Sequence, residues 1–111
     1  MQHIFLDFEM NPIPRENREA RAVVLSEIIQ IGAVKLDSNY QLTDRFSLNV
    51  CPELNQIMPH ITNLTGIRQE DVNDAPLLKE AIDIFARWIE EGAEKEGRKI
   101  RIYAWSNSDW R

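Results

Sequence analysis

The stretch Ile4-Phe5-Leu6-Asp7-Phe8-Glu9-Met10-Asn11 constrains this chain more than any other. Its apolar residues, stopped by Asn11-Pro12, predict a strand over residues 3–10 buried on both faces, yet two acids sit inside it. Side chains alternate across a strand, so Asp7 and Glu9 project from one face with Cβ atoms roughly 6 to 7 Å apart. Phe5 shares that face, and Leu6 and Phe8 lie behind it. Two ionised carboxylates on an apolar strand carry a large desolvation penalty unless cations or hydrogen-bond donors face them. The pair suits one or two hard divalent cations, which take oxygen ligands and keep waters that phosphate can displace. The competing reading is an edge strand whose acids face water.

What surrounds that strand is modest. With 111 residues, 43% of them hydrophobic, the chain is expected to form one domain over residues 1–111. Cys51 is the only cysteine, so no intrachain disulfide can form, and a cytoplasmic location is the simplest expectation. No apolar run is long enough to span a bilayer, and Met1-Gln2-His3-Ile4 leads into the strand without the basic region of a secretory signal. No membrane partner is expected. A net charge of -5 excludes binding nucleic acid through a broad basic surface. It does not exclude a phosphodiesterase whose bound cations neutralise phosphate locally.

Residues 11–26, with Pro12, Pro14 and a mixed-charge run, are expected to form a long mobile connection. Arg15, Arg18 and Arg21 recur at helical spacing there, as a solvated face or as phosphate contacts over the carboxylates. Glu27 to Leu36 is rich in β-branched residues and predicts a second, central strand, with Glu27 either hydrogen-bonded structurally or a further acid near the site. Asp37-Ser38-Asn39 makes a turn, and Thr43 to Val50 alternates as a half-buried third strand. His60 to Gly66 predicts a short helix ended by glycine. Asp71 to Pro76 is expected to be a loop, and Leu77 to Glu91 the clearest helix, capped by Asp74 and ended by Gly92. Its core stripe is Leu78, Ala81, Ile82, Phe85 and Ile89. Ile100 to Ser106 then reads as a fourth strand, which a crossover helix sets parallel to the first. Asp109 follows in a strand-to-helix turn, where α/β folds hold their ligands. Alone it would be a helix cap; beside Asp7 and Glu9 it becomes the third carboxylate of a cluster.

Four stretches in this order, Phe5-Leu6-Asp7-Phe8-Glu9, Glu27-Ile28-Ile29-Gln30-Ile31-Gly32-Ala33-Val34, Leu64-Thr65-Gly66-Ile67 with Ala75-Pro76, and Trp105-Ser106-Asn107-Ser108-Asp109-Trp110, resemble the DEDD superfamily of 3′-to-5′ exonucleases. The likeness is to the branch of Eri-type and proofreading-subunit-like enzymes and covers essentially the whole chain. It implies an α/β, ribonuclease H-like mixed sheet, with three antiparallel strands followed by a parallel fourth after a crossover helix, here lacking the C-terminal part. It also implies hydrolysis of phosphodiester bonds at the 3′ end of single-stranded RNA or DNA with two Mg²⁺ or Mn²⁺ ions. Asp7 then bridges both ions, Glu9 joins it on the ion that activates water, and Asp109 binds the other. The backbone around Met10 and Asn11 receives the terminal nucleotide, and the turn at Thr65 and Gly66 packs on it.

The family continues to a third motif, His-x-x-x-x-Asp, which supplies the general base and a last ligand, and nothing in this chain matches it. Neither His3 nor His60 stands in its place. The chain alone is therefore expected to be an inactive fragment with no general base, its uncovered sheet surface inviting self-association. The alternative is a non-catalytic nucleic-acid or protein interaction module on the same fold.

Overall fold

The computed structural model describes residues 1–91 and 99–105. In chain order the elements are β1 (Gln2–Pro12), α1 (Arg18–Arg21), β2 (Ser26–Leu36), β3 (Leu42–Asn49), α2 (Pro59–Thr65), α3 (Gln69–Val72), α4 (Leu78–Glu90) and β4 (Ile100–Trp105). The four strands form one sheet in the order β3-β2-β1-β4. β1 pairs antiparallel with β2, β2 antiparallel with β3, and β4 parallel with β1, which are the directions expected from three hairpin-linked strands and a crossover. Among the described residues no helix is long and apolar enough to cross a membrane.

The period-two pattern of the strands decides where the core sits. Ile4 and Leu6 of β1 and Ile31 and Ala33 of β2 point to one face, where Ala81, Phe85 and Trp88 of α4 cover them. Phe46 adds ring contacts, with centroids 5.2 Å from both Phe85 and Trp88. A second cluster of Ile29, Ile57, Ile61, Ile67 and Val72 packs α2 and α3 against the end of β2. The other face of β1 is not buried as expected: Phe5 is 37% exposed and Asp7 is exposed. The physical reason is that α4 lies on the even-numbered side only, while the odd-numbered side carries the acids.

Several local expectations are corrected. β1 does not stop at Asn11-Pro12. A bulge between Glu9 and Met10 shifts its register, and Asn11 and Pro12 then pair with Glu27 and Ser26; proline is tolerated at a strand end because a missing N–H is harmless there. The following connection is anchored rather than loose. Asn17 caps α1 by accepting from Ala20 N at 3.3 Å, and its Nδ2 donates to Leu54 O at 2.9 Å. The segment after residue 67 contains α3. α4 begins only at Leu78, with Leu77 as N-cap and no side-chain cap. Asp74 lies too far upstream, because Cys51 N donates to Pro76 O and Cys51 bridges Leu77, holding the chain extended there. Within α4, Trp88 is buried and Ile82 is 49% exposed, since the stripe through 81, 85 and 88 leaves position 82 on its flank. Gly92, expected to end the helix, lies outside the described residues.

Lys35 is a buried cation at the junction of sheet and helix. It alternates onto the covered face of β2, and its Nζ donates to Trp88 O and, at 3.1 Å, to Glu91 O, while lying 4.3 Å from the Trp88 ring centroid. These carbonyls end α4, where a cation is favoured by the helix dipole. Burial holds the Lys35 ammonium below its ordinary pKa, partly opposed by Asp44 and Glu91. Asp44 is its cross-strand neighbour and accepts from Trp88 Nε1 at 2.8 Å.

Candidate active site

The acid pair sits on the central strand. Asp7 pairs with Gly32 of β2 on one side and with Trp105 of β4 on the other, and Glu9 pairs with Gln30. Backbone pairing on both flanks makes Asp7 a fixed point of the sheet. Side-chain alternation puts Asp7 and Glu9 on the face that α4 leaves uncovered, with Asp7 exposed and Glu9 half-buried. Gly32 keeps the flank of Asp7 open: a Cβ at that position would meet nothing closer than Asp7 O at 3.7 Å. A pocket of about 350 Å³ results, lined by Phe5, Leu6, Asp7, Gly32, Ala33 and Val34. Its wall is largely apolar, with the Phe5 ring stacked on Tyr103 at 4.4 Å.

The electrostatics of the pair bear on whether a cation fits. Burial pushes the Glu9 carboxyl above its ordinary value, and the neighbouring Asp7 charge pushes it further. Two neighbouring carboxylates, one of them raised by the charge of the other, offer hard oxygen donors that suit a divalent cation. They are two donors: among the described residues no group of three or more His, Cys, Asp or Glu is placed to hold a metal. Asp109, the expected third carboxylate, lies outside the described residues. The last described residue of β4, Trp105, stands in register with Asp7.

A stability consequence follows from Glu9. Its folded pKa is raised, so the folded state binds the proton more tightly than the unfolded chain, and the fold loses stability as pH climbs from about 4.3 through the raised value. Glu9→Gln removes this loss. In cation-free buffer its urea midpoint should exceed that of the wild type at pH 7, with the gap closing at pH 4; an equal gap at both would contradict this assignment.

The remaining candidates divide into side chains that face outward and side chains that hold the scaffold. Met10 is 37% exposed, whereas Asn11 is fully buried. Asn11 Nδ2 donates to Gln56 O at 3.0 Å, and its Oδ1 accepts from Met58 N at 2.8 Å. What residue 11 offers a ligand is therefore backbone. Thr65 spends its hydroxyl locally, donating to Ile61 O at 2.8 Å and accepting from Ile67 N at 3.1 Å. Gly66 ends α2 with φ 79°, the left-handed conformation that favours glycine. Beside them Leu64 is 77% exposed, a projecting apolar residue that helical periodicity alone does not single out.

Glu27 is not part of the acid site. Its carboxylate accepts from the backbone N–H groups of Glu53, Leu54 and Asn55 at 2.8, 3.0 and 2.9 Å. His3 is buried, bonds Tyr103 Oη through Nδ1 at 3.1 Å and stacks on Tyr40 at 4.4 Å. His60 is exposed at the start of α2. Arg21 donates to Ile13 O at 3.3 Å, and Arg15 and Arg18 are exposed.

Set beside known proteins, residues 4–110 match the family model described as Exonuclease (RNase_T). A stretch of 59 residues is 46% identical to the PolC-type DNA polymerase III of Caldanaerobacter subterraneus subsp. tengcongensis, covering 53% of this chain and 4% of that protein. The PolC-type DNA polymerase III of Clostridium perfringens is 41% identical over 63 residues, which are 57% of this chain and 4% of that protein. In three dimensions the chain resembles the nuclease domain of 3′hExo, a DEDDh family member solved with rAMP, with a TM-score of 0.74 and 24% identity over 98% of this chain and 52% of that one. Cell-death related nuclease 4 (CRN-4) gives a TM-score of 0.72 at 24% identity, over 93% of this chain and 34% of that one. The chain thus spans about half, or less, of these relatives, and the shared fold is the ribonuclease H-like mixed sheet.

Proposed function

Because the chain belongs to the RNase_T exonuclease family, we propose that it is the N-terminal part of a divalent-metal-dependent 3′-to-5′ exonuclease acting on single-stranded RNA or DNA ends. The observation that carries this is the Asp7–Glu9 pair, fixed on the open face of the central strand inside the family match. Two Mg²⁺ or Mn²⁺ ions, when bound, supply a water deprotonated near neutral pH and charge to stabilise the departing 3′ oxygen. Asp7, Glu9 and Asp109 are the residues that would hold them. The protein's own part is positional: Asp7 is clamped by backbone pairing on both sides, so it keeps its place as charge builds on a phosphate. The backbone at Met10 and Asn11 and the turn at Thr65 and Gly66 would cradle the terminal nucleotide, with the pocket floor beside Asp7 excluding water on its apolar flank.

Among the described residues none is placed as a general base, so the 111-residue polypeptide alone is expected to turn over little or no substrate. Its open sheet face also gives it a surface for self-association. The lone Cys51 fits a cytoplasmic protein.

The direct experiment uses the longest natural polypeptide containing these residues. Incubated with Mn²⁺ and a 5′-labelled oligonucleotide, it should yield a ladder shortened from the 3′ end and stopped by chelator; internal cuts, or no products, would reject the assignment. The second reading is a non-catalytic nucleic-acid or protein interaction module on the same fold. It predicts oligonucleotide binding with no products at all.

A further inference from the structure

At the level of Glu9 the antiparallel register forms a row across three strands. Asn49 of β3 pairs with Gln30 of β2, and Gln30 pairs with Glu9 of β1. Directly paired residues share a face, with Cβ atoms about 4.5–5.5 Å apart, so the Gln30 amide stands between Asn49 and Glu9. Which way that amide is turned is dictated from the far end of the row. The Asp71 carbonyl, in the last turn of α3, can only accept, and Asn49 Nδ2 donates to it at 3.3 Å. Asn49 must then present Oδ1 to Gln30, which answers with Nε2 at 3.0 Å. A primary amide carries two N–H donors. One is engaged on the β3 side; the other remains available to Glu9, which the register sets directly across on β1.

We propose that Gln30 is a positioning residue for Glu9: keyed through Asn49 to the Asp71 carbonyl, it offers its second N–H to one Glu9 oxygen and leaves the other for a divalent cation shared with Asp7. This rests on the reading of Asp7 and Glu9 as cation ligands. The device has a clear physical purpose. A glutamate side chain on an open sheet face has several rotamers, and a ligand that must be ordered on binding gives up side-chain entropy at that moment. A donor already oriented by backbone orders the carboxylate beforehand. The same row would link the acid pair to α3 through the Asp71 carbonyl.

The test measures cation affinity rather than turnover. Free Mn²⁺ is followed by electron paramagnetic resonance during titration of the 111-residue chain, alongside Gln30→Met, Asn49→Leu and Asp7→Asn, with a cation-free thermal melt of each. Partners that orient metal ligands typically shift affinity by about 10- to 100-fold. Gln30→Met, which keeps length and removes both donors, should weaken Mn²⁺ binding about tenfold or more with little change in melting. Asn49→Leu, which leaves Gln30 in place but frees it to turn, should give a smaller loss in the same direction, and it decides the matter should Gln30→Met fail to fold. Affinities of both variants within twofold of the wild type, with Asp7→Asn abolishing binding, would overturn the role of Gln30 alone. Absence of Mn²⁺ binding by the wild type, or binding unaffected by Asp7→Asn, would overturn the cation site itself and this inference with it.

Discussion

Asn11→Ala is expected to destabilise the fold by about 3 kcal/mol, more than truncating most surface polar residues, because it orphans the Met58 N–H, takes from Gln56 O one of its two donors (Asn55 Nδ2 being the other) and empties a fully buried site. The side chain is fully buried and satisfies Gln56 O and Met58 N from a position 45 and 47 residues away in the chain. Alanine leaves a hole too small to be refilled by the apolar neighbours and removes the only donor and acceptor that these groups have on β1. In a domain near this size a loss of 3 kcal/mol lowers the melting temperature by roughly 10 °C or more. Asn11→Asp discriminates further. It keeps an acceptor for Met58 N but sets a carboxylate oxygen against Gln56 O in a buried site, so it should be nearly as damaging at pH 7 and milder in acid. Chemical denaturation of the three proteins checks both statements. A change under about 0.5 kcal/mol for Asn11→Ala would mean that the loop before α2 is held by other contacts.

That bond also marks where sequence reasoning stops. The strands were legible because their signal is local: β-branched runs and period-two alternation place Ile4, Leu6, Ile31 and Ala33 on one face without knowledge of the partner. Gly66 was legible as a helix end for the same reason. Polar residues that act across long separations carry no such signal. Glu27 looks the same in sequence whether it ligates a cation or gathers three N–H groups of the 53–55 loop, and it does the latter. Lys35 alternates in phase with Ile31 and Ala33 and so falls on the covered face, but nothing local in the sequence shows that the last carbonyls of α4 receive its ammonium there. In the candidate site, Asp7 and Glu9 were readable as a pair from their spacing alone, whereas the Asp71–Asn49–Gln30 row that flanks them depends on sheet register and on a helix more than twenty residues downstream.

Asp7→Asn should abolish divalent-dependent 3′ shortening in the longest natural polypeptide containing these residues, a loss of at least about 10³-fold, while leaving the fold intact. The substitution is nearly isosteric, and Asp7 is exposed, so no core contact is disturbed. It removes the charge that pushes up Glu9, so in cation-free buffer the variant should melt no lower than the wild type. An amide has neither the charge nor the bridging capacity of a carboxylate, and hard divalent cations discriminate strongly against that exchange. Loss of activity together with unchanged or raised thermal stability separates a ligand from a scaffold residue. A scaffold role predicts the two falling together, as they should for Asn11→Ala. Rates within tenfold of the wild type would remove Asp7 from the chemistry, and without Asp7 the open face of β1 has no reason to carry acids at all.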